Sequence, residues 1–174
     1  MKYIKMAVIS FVVFFSMFTL IGLLFPSNIK SVNAVVINKK KRIILKEMQI
    51  TSAWINWYPF FQTNVGAYID NAGKDTTIFF NYKKEILVYN KKADSDTVSF
   101  FTEYENGRII EHTIVLLYIS GDSNQVQLMW NETEKLKWYP WERFRGLVLE
   151  KAKTEYIDIV LSRFKQYIDT VSTN

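Results

Sequence analysis

The stretch at residues 149–171 (LEKAKTEYIDIVLSRFKQYIDTV) decides the fold, because its pattern predicts one long amphipathic helix. Its apolar residues recur at spacings of three and four: Ala152, Tyr156, Ile157, Val160, Leu161, Phe164, Ile168 and Val171. Charged and polar residues take the opposite face. A helix with a single apolar side buries that side against another element, so we expect this helix to lie across a sheet.

The sequence before this helix predicts a run of antiparallel strands. Segments rich in β-branched and aromatic residues lie at 76–82, 85–89, 97–104, 108–119 and 125–131. Asn106-Gly107 predicts a hairpin turn, since both residues tolerate positive φ. In the last segment Val126, Leu128 and Trp130 alternate with polar neighbours, which is typical of a sheet with one buried face.

The segment that follows residue 28 predicts a strand and two short helices. Residues 29–37 (IKSVNAVVI) are largely apolar and β-branched, as strands are. Asn38 is a candidate N-cap for a helix that runs to about Gln49. Thr51 is a candidate cap for a second helix to about Trp57, which Pro59 would end. The predicted fold class is therefore α+β.

Three sequence motifs add a family resemblance to this order of elements. They are Ile37-Asn38 at the strand exit, Trp54-Ile55-Asn56-Trp57-Tyr58-Pro59-Phe60 after the helices, and Leu161-Ser162-Arg163-Phe164-Lys165 in the last helix. With the Tyr139-Pro140…Phe144…Leu147 lead-in, the chain resembles the SRPBCC, polyketide cyclase-like family of the START/Bet v1-like superfamily. The resemblance implies a helix-grip fold, with a curved antiparallel sheet around a long C-terminal helix. The chain departs from the family pattern at Lys39-Lys40 and between residues 63 and 92.

The resemblance also implies a cavity between the sheet and the last helix, which relatives use to hold apolar ligands. From their periodicity, the residues expected to line this space are Trp57, Phe79, Phe100, Ile114, Leu116, Leu128, Trp130, Tyr156, Val160 and Phe164. The same side chains would equally well pack a solid core. Two functions stay open from the residues: a binding module for a lipid or other hydrophobic small molecule, and a non-catalytic structural or protein-interaction module with a filled core. The resemblance adds a third, an enzyme of the cyclase or dehydratase type that some family members represent.

The sequence offers little catalytic chemistry. The chain has no cysteine and one histidine, which excludes a thiol nucleophile and a multi-histidine metal site within one chain. His112 lies within a predicted strand, where a hydrogen-bonded structural role is common. If the cavity is open, His112 is also the best-placed general acid or base, so we include it among the ligand-binding candidates. We predict no enzyme activity, no cofactor and no metal.

The first 25 residues predict a membrane anchor. Lys2 and Lys5 precede an uncharged apolar run at residues 6–25, which Pro26 ends. About 20 helical residues span a hydrocarbon core of about 30 Å. A cleaved signal peptide is the alternative, but the run is longer than usual and no Ala-x-Ala follows it. We expect an anchor over residues 1–26 and one domain over residues 27–174.

The charges of the chain indicate a membrane neighbour better than a nucleic acid. The 22 basic and 17 acidic residues are interspersed, without the basic stripe of a nucleic-acid binder. Two basic clusters stand out, at residues 39–42 (KKKR) and at Lys135, Lys137, Arg143 and Arg145. Either is most simply a solvated face, and either could attract anionic headgroups. Lys2 and Lys5 favour a single-pass protein with its domain on the extracytoplasmic side. Lys30 and the cluster at residues 39–42 also lie close enough to the helix to count and favour the opposite side, so the orientation stays open, as does a protein partner.

Overall fold

The computed structural model describes residues 2–63, 67–71, 76–81, 84–119 and 124–171. The helices are α1 (Lys2–Leu23), α2 (Lys41–Gln49), α3 (Pro59–Thr63) and α4 (Pro140–Thr170), with a 3-10 helix at Thr51–Asn56. The strands are β1 (Asn28–Ile37), β2 (Tyr68–Asn71), β3 (Thr76–Asn81), β4 (Lys84–Ala93), β5 (Thr97–Tyr104), β6 (Ile109–Tyr118) and β7 (Val126–Lys135).

The strands form one antiparallel sheet in the order β1-β7-β6-β5-β4-β3-β2. Its curved inner face wraps around α4, which confirms the expected α+β helix-grip fold. The hairpin between β5 and β6 turns at Gly107, whose φ is +72°. The Gly107 amide donates to the Tyr104 carbonyl at 2.8 Å, so the predicted Asn-Gly turn is confirmed.

The strand register places two kinds of side chain on the inner face. Toward one end of β7, Val126, Leu128 and Trp130 are buried. At the other end the same alternation continues with Glu132 and Glu134, which are also buried. The pairing aligns these rows across the sheet, because Trp130 lies opposite Ile114 and Glu132 opposite His112. The inner face therefore changes from apolar to polar along the strands.

The last helix begins earlier than the sequence pattern predicted. α4 starts at Pro140 rather than at residue 149 and runs for 31 residues. Pro140 occupies the first helical turn, where its missing N–H and fixed φ are favourable. The apolar periodicity fails over this first part because these turns of α4 contact α1 as well as the sheet. Phe144 instead packs against Phe18 and Phe25, at ring-centroid distances of 6.3 and 5.1 Å.

Two capping predictions in the N-terminal half were wrong. Asn38 does not cap α2, which begins at Lys41 after the extended residue Lys40. The predicted second helix is confirmed as the 3-10 helix, which ends at Asn56 before Pro59. Pro59 in turn begins α3, again because proline fits a first helical turn. Thr51 lies inside the 3-10 helix, whose N-cap is Ile50. The sequence also missed β2, which lacks an alternating pattern over its four residues.

Helix α1 stands apart from the sheet. Its apolar side chains are exposed along most of its length, and only Gly22 is buried. A Cβ on Gly22 would lie 3.0 Å from the Pro140 Cα, so the two helices approach closely at this point. Among the described residues α1 is the helix long and apolar enough to cross a membrane, with a mean hydropathy of 2.4. It is compatible with a single-pass anchor or a signal sequence.

The two basic clusters lie at opposite ends of the domain. Lys39 at one end donates through Nζ to the Val171 carbonyl at 2.9 Å. Lys41 in the same cluster is buried, pairs with Asp96 and lies 4.9 Å from the Tyr118 ring centroid. The other cluster, at residues 135–145, adjoins the start of α4. Because the 31 residues of α4 span about 46 Å, the two clusters lie far apart. The second cluster is therefore the one near α1.

Candidate functional site

The structure brings together most of the residues predicted to line an interior cavity. The side chains with no more than about one hundredth of their surface exposed are Trp57, Phe100, His112, Ile114, Leu116, Leu128, Trp130, Val160 and Phe164. Tyr156 is the exception on α4, since 36% of its surface is exposed. Phe79 lies in β3, and its side chain is outside the part of the chain that the structure describes.

Aromatic rings fill the apolar half of this interior. Trp57 lies 4.7 Å from Phe164 and 6.4 Å from Trp130, measured between ring centroids. Trp54 lies 5.0 Å from Phe100 on the other side. Edge-to-face packing of this kind is favourable beyond the area that it buries. The apolar half is therefore a packed aromatic cluster formed by the 3-10 helix, the sheet and α4.

The interior also has a polar half, which the sequence reasoning missed. Its buried members beside His112 are Ser31, Thr102, Glu132 and Glu134. The sequence did contain a signal for these buried glutamates. Glu132 and Glu134 continue the alternation of Val126, Leu128 and Trp130 in β7, so all five side chains face the same side of the sheet. Alternation alone does not reveal that a glutamate faces inward, since glutamates are rarely buried unless paired.

Glu134 is paired with three cations. Arg108 donates to it in a fork, with Nε to Oε1 and Nη2 to Oε2 both at 3.0 Å. Lys153 Nζ lies 2.8 Å from Oε2, and Arg145 Nη2 lies 3.3 Å from Oε1. Burial alone would raise the pKa of Glu134, but the hydrogen bonds from Arg108 and Lys153 outweigh it and hold the pKa below its usual value. Glu134 is thus a buried carboxylate whose charge is compensated.

His112 occupies the boundary between the two halves. Its ring stacks on Phe100 at a centroid distance of 4.6 Å, and Nε2 lies 2.8 Å from the Thr102 hydroxyl. The Trp130 indole N–H donates to Nδ1 at 3.2 Å, while Glu132 Oε1 lies at the same distance from Nδ1. Nδ1 accepts from Trp130 when it carries no proton and donates to Glu132 when it does. The His112 ring is therefore fully engaged within the fold.

Three tyrosines extend the polar half toward α4. The Tyr58 and Tyr156 hydroxyls are hydrogen-bonded to each other, and burial is the main cause that raises the pKa of Tyr58 well above its usual value. Burial likewise raises the pKa of Tyr104, whose ring lies 5.4 Å from the Arg108 guanidinium carbon. Neutral tyrosine hydroxyls beside Glu132 give this part of the interior donors and acceptors without further charge.

A groove of about 870 Å³ opens at the end of the domain nearest α1. It lies between the ends of β5, β6 and β7 and the segment that leads into α4. Its apolar wall includes Phe101, Ile109 and Leu136, and its polar wall includes Arg108 and Glu134. The Leu136 amide donates to the Ser27 carbonyl at 2.8 Å, which joins this wall to the chain leaving α1. The groove therefore adjoins both the buried polar half and the anchor helix.

The site contains no recognisable metal centre in the described part of the chain. Within those ranges, no three His, Asp or Glu side chains gather where they could hold a metal ion. The buried carboxylates Glu132 and Glu134 face Lys153 at 3.8 and 2.8 Å instead. The interior thus offers hydrogen-bonding groups at one end and aromatic rings at the other.

Comparison with solved structures identifies the class of fold. The chain is similar to a START superfamily protein from Mycobacterium smegmatis, with a TM-score of 0.61, 12% identity, and coverage of 82% of this chain and 99% of that one. A Staphylococcus aureus protein of unknown function has a TM-score of 0.61 and 7% identity over 82% and 94% of the chains. XoxI from Bacillus cereus has a TM-score of 0.58 and 10% identity over 81% and 96%. No family model and no curated protein matches the sequence.

The chain thus has a Bet v1/START-like helix-grip fold. At these identities the likeness concerns the fold alone, and fold does not fix function. The assignment to the SRPBCC, polyketide cyclase-like members stays a prediction.

The Glu134 network predicts a specific pH dependence of stability. A carboxylate with a lowered pKa stabilises the fold above its unfolded pKa, near 4.5, and that contribution is lost as the pH falls through the lower folded value. Glu134→Gln leaves Arg108, Arg145 and Lys153 without their shared anion. We expect a loss of about 3 kcal/mol in the free energy of unfolding at neutral pH.

Denaturant titrations of the full chain in detergent at several pH values measure this effect. The difference between wild type and Glu134→Gln should shrink as the pH falls below 4.5. Glu150→Gln, at an exposed position of α4, is the matched control and should change stability by less than about 0.5 kcal/mol at every pH. Equal effects of the two variants at neutral pH would contradict the network.

Proposed function

We propose that the protein is a membrane-tethered binding module that holds a lipid or another hydrophobic small molecule between the sheet and α4. The observation that carries the proposal is a pair of unsatisfied groups in the interior. The Trp57 indole N–H and the Ser31 hydroxyl are buried, and neither has a hydrogen-bond partner within the described ranges. A buried polar group without a partner costs about 1–3 kcal/mol, and a polar group of a bound molecule would remove that cost.

Because the interior has a polar half and an aromatic half, it suits a ligand that has both a polar and an apolar part. Ser31 lies opposite Glu132 in the register of β1 and β7, so its hydroxyl belongs to the polar half. Trp57 belongs to the aromatic half, where its ring contacts Phe164. Ligand sites in proteins commonly combine an apolar wall with a few polar groups that orient the guest. An amphiphile with a polar group near Ser31 and an apolar body along the rings matches this division.

Tethering by α1 suits such a ligand, because a hydrophobic molecule concentrates in the bilayer that α1 would cross. The groove of about 870 Å³ lies beside the chain that leaves α1, and its wall includes Ser27 and Asn28. A molecule that leaves the bilayer at this point would meet the groove first, and two of its lining residues, Arg108 and Glu134, also belong to the polar network of the interior. The anchor therefore places the domain where its ligand is found.

We propose that the role is non-catalytic. His112 is 1% exposed, and both ring nitrogens contact groups of the fold, among them Thr102 and Trp130. A general base needs to reach a proton of its substrate directly or through one water. His112 reaches other side chains of the domain instead, so orientation of a ligand fits it better than proton transfer.

A filled interaction module is the second candidate, and the ring contacts favour it. Trp54, Trp57, Trp130, Phe100 and Phe164 each have less than 2% of their surface exposed and contact one another. A ligand among these rings would have to displace side chains that already pack well. The two candidates therefore differ in whether a molecule occupies the interior.

Enlargement of an interior residue distinguishes these candidates. Val160 is buried and Ile159 is 48% exposed, so Val160→Trp and Ile159→Trp add the same side chain to adjacent positions of α4. If a ligand is bound, mass spectrometry of the purified full chain should find one lipophilic species near stoichiometry in wild type and Ile159→Trp. That species should be largely lost from Val160→Trp, because the new indole competes for its space.

A milder variant serves if Val160→Trp does not fold. Ser31→Ala removes one unsatisfied hydroxyl and should lower the retained amount without weakening the fold, while Ser162→Ala on the exposed side of α4 should leave it unchanged. A chain that carries no species above the detergent background contradicts ligand binding and favours the filled module. Equal retention by wild type, Val160→Trp and Ser31→Ala does the same.

We also propose that the domain lies on the extracytoplasmic side, with Lys2 and Lys5 retained in the cytoplasm. The natural chain has no cysteine, so Ser162→Cys creates a single thiol on the exposed side of α4. A membrane-impermeant maleimide should label this variant in intact bacterial cells about as fully as in lysed cells. Labelling that needs lysis would place the domain in the cytoplasm.

A further inference from the structure

We propose that the start of α4 and the segment before it form a second membrane contact, which docks on the headgroups of an anionic bilayer. We call this surface the interfacial face: Trp138, Trp141, Val148, Lys135, Lys137 and Arg143. The inference rests on the membrane anchoring by α1 that the proposed function includes. It assigns the protein a surface that holds the domain against the bilayer rather than leaving it free on a tether.

The packing of α1 on α4 sets the height of this face. Phe144 lies between Phe18 and Phe25 of the anchor segment, with ring centroids 6.3 and 5.1 Å away. Gly22, in the last turn of α1, is buried against Pro140. A bilayer around α1 ends close to Leu23, since the 22 residues of α1 span about 33 Å. The first turns of α4 therefore meet α1 from the bilayer surface inward, since Phe144 lies against Phe18 as well as Phe25.

The apolar part of the face has the composition of a membrane interface. Trp138, Trp141 and Val148 are 63%, 60% and 74% exposed, although they adjoin a well-packed domain. Trp141 stacks on Tyr139 at a centroid distance of 4.5 Å, which forms an aromatic pair at this height. Tryptophan and tyrosine are enriched at the headgroup level of membranes, where their rings meet both lipid and water. Contact with water does not favour the exposure of these large apolar side chains, whereas contact with a membrane interface does.

A phenylalanine-lined groove makes the apolar face continuous with the anchor. The groove has a volume of about 330 Å³ and lies between α1 and α4. Its walls include Phe11, Phe14 and Phe15 on one side and Trp141 on the other. A lipid chain alongside α1 would thus also contact the start of α4. This continuity favours lipid over a protein partner as the occupant.

The basic residues of the interfacial face indicate that the lipid is anionic. Lys135 and Lys137 are exposed, and Arg143 is partly buried beside them. Within the described ranges, no ion pair joins any of these three side chains to a carboxylate. Basic residues at the surface of an anionic membrane are attracted to its headgroups. Unpaired cations at headgroup height therefore match an anionic bilayer.

Quenching of tryptophan fluorescence by lipid tests the apolar contact. The full chain is reconstituted in vesicles of equal parts phosphatidylcholine and phosphatidylglycerol, with a nitroxide-labelled phosphatidylcholine as quencher, and insertion is checked by flotation. Trp54, Trp57 and Trp130 are at most 1% exposed, so Trp138 and Trp141 should supply most of the quenched emission. The variant Trp138→Phe with Trp141→Phe should lose more than half of the quenched fraction.

Matched charge variants test the anionic part. Lys135→Gln with Lys137→Gln should abolish the gain in quenching that phosphatidylglycerol gives over phosphatidylcholine alone. Lys40→Gln with Arg42→Gln removes two exposed charges at the far end of the domain and should keep that gain. Equal behaviour of the two pairs would overturn the electrostatic contact.

The outcomes separate the face from the anchor. A chain that inserts and shows the same quenching with and without Trp138 and Trp141 overturns the interfacial face alone. If that inserted chain also crosslinks to a second copy through this face, the face is a protein interface instead. A chain that does not float with the vesicles overturns the anchor and, with it, the face.

Discussion

The buried carboxylate of Glu134 is the constraint on which the arrangement of this domain depends. It sits at the end of β7 and is compensated by Arg108 from the β5–β6 hairpin and by Arg145 and Lys153 from α4. A buried charge requires such partners, because removal from water is costly. The network therefore ties the first half of α4 to the end of the sheet. That placement in turn brings Phe144 against the helix that precedes the domain.

The same constraint divides the interior. Beyond Tyr156 the inner side of α4 is apolar: Val160 and Phe164 are buried, and the Phe164 ring lies 4.7 Å from the Trp57 ring. His112 joins the two halves, with Phe100 stacked on its face and Thr102 bonded to its edge. The polar half lies toward α1 and the aromatic half lies away from it. The domain thus has a polar end beside α1 and an aromatic end away from it.

The sequence predicted the fold well wherever a periodic pattern reported one buried face. The alternation in β7 and the three-and-four spacing of α4 from Ile157 onward had this property. It missed the first turns of α4, which begin at Pro140. It also missed α3, because Pro59 follows the end of one helix and begins the next. Most of the aromatic lining of the interior was predictable for the same reason as the fold.

The polar half was not predictable in the same way, because pairing partners decide whether a charge is buried. Arg108, Arg145 and Lys153 are far from Glu134 in sequence, and only the folded chain places them around it. The exposure of Trp138 and Trp141 also depends on packing, since it follows from the position of α4 beside α1. Local sequence patterns predict which apolar faces are buried. Buried charges and exposed aromatic residues depend instead on neighbours that are far apart in the sequence.

The most direct test of this account is the height of the two ends of the domain above a membrane. A fluorophore is attached to Lys137→Cys in one sample and to Arg42→Cys in another, with the full chain in vesicles whose headgroups carry an acceptor dye. The account predicts strong energy transfer from position 137 and transfer near background from position 42, because α4 separates the ends by about 46 Å. Equal transfer from both positions, or stronger transfer from position 42, would contradict it.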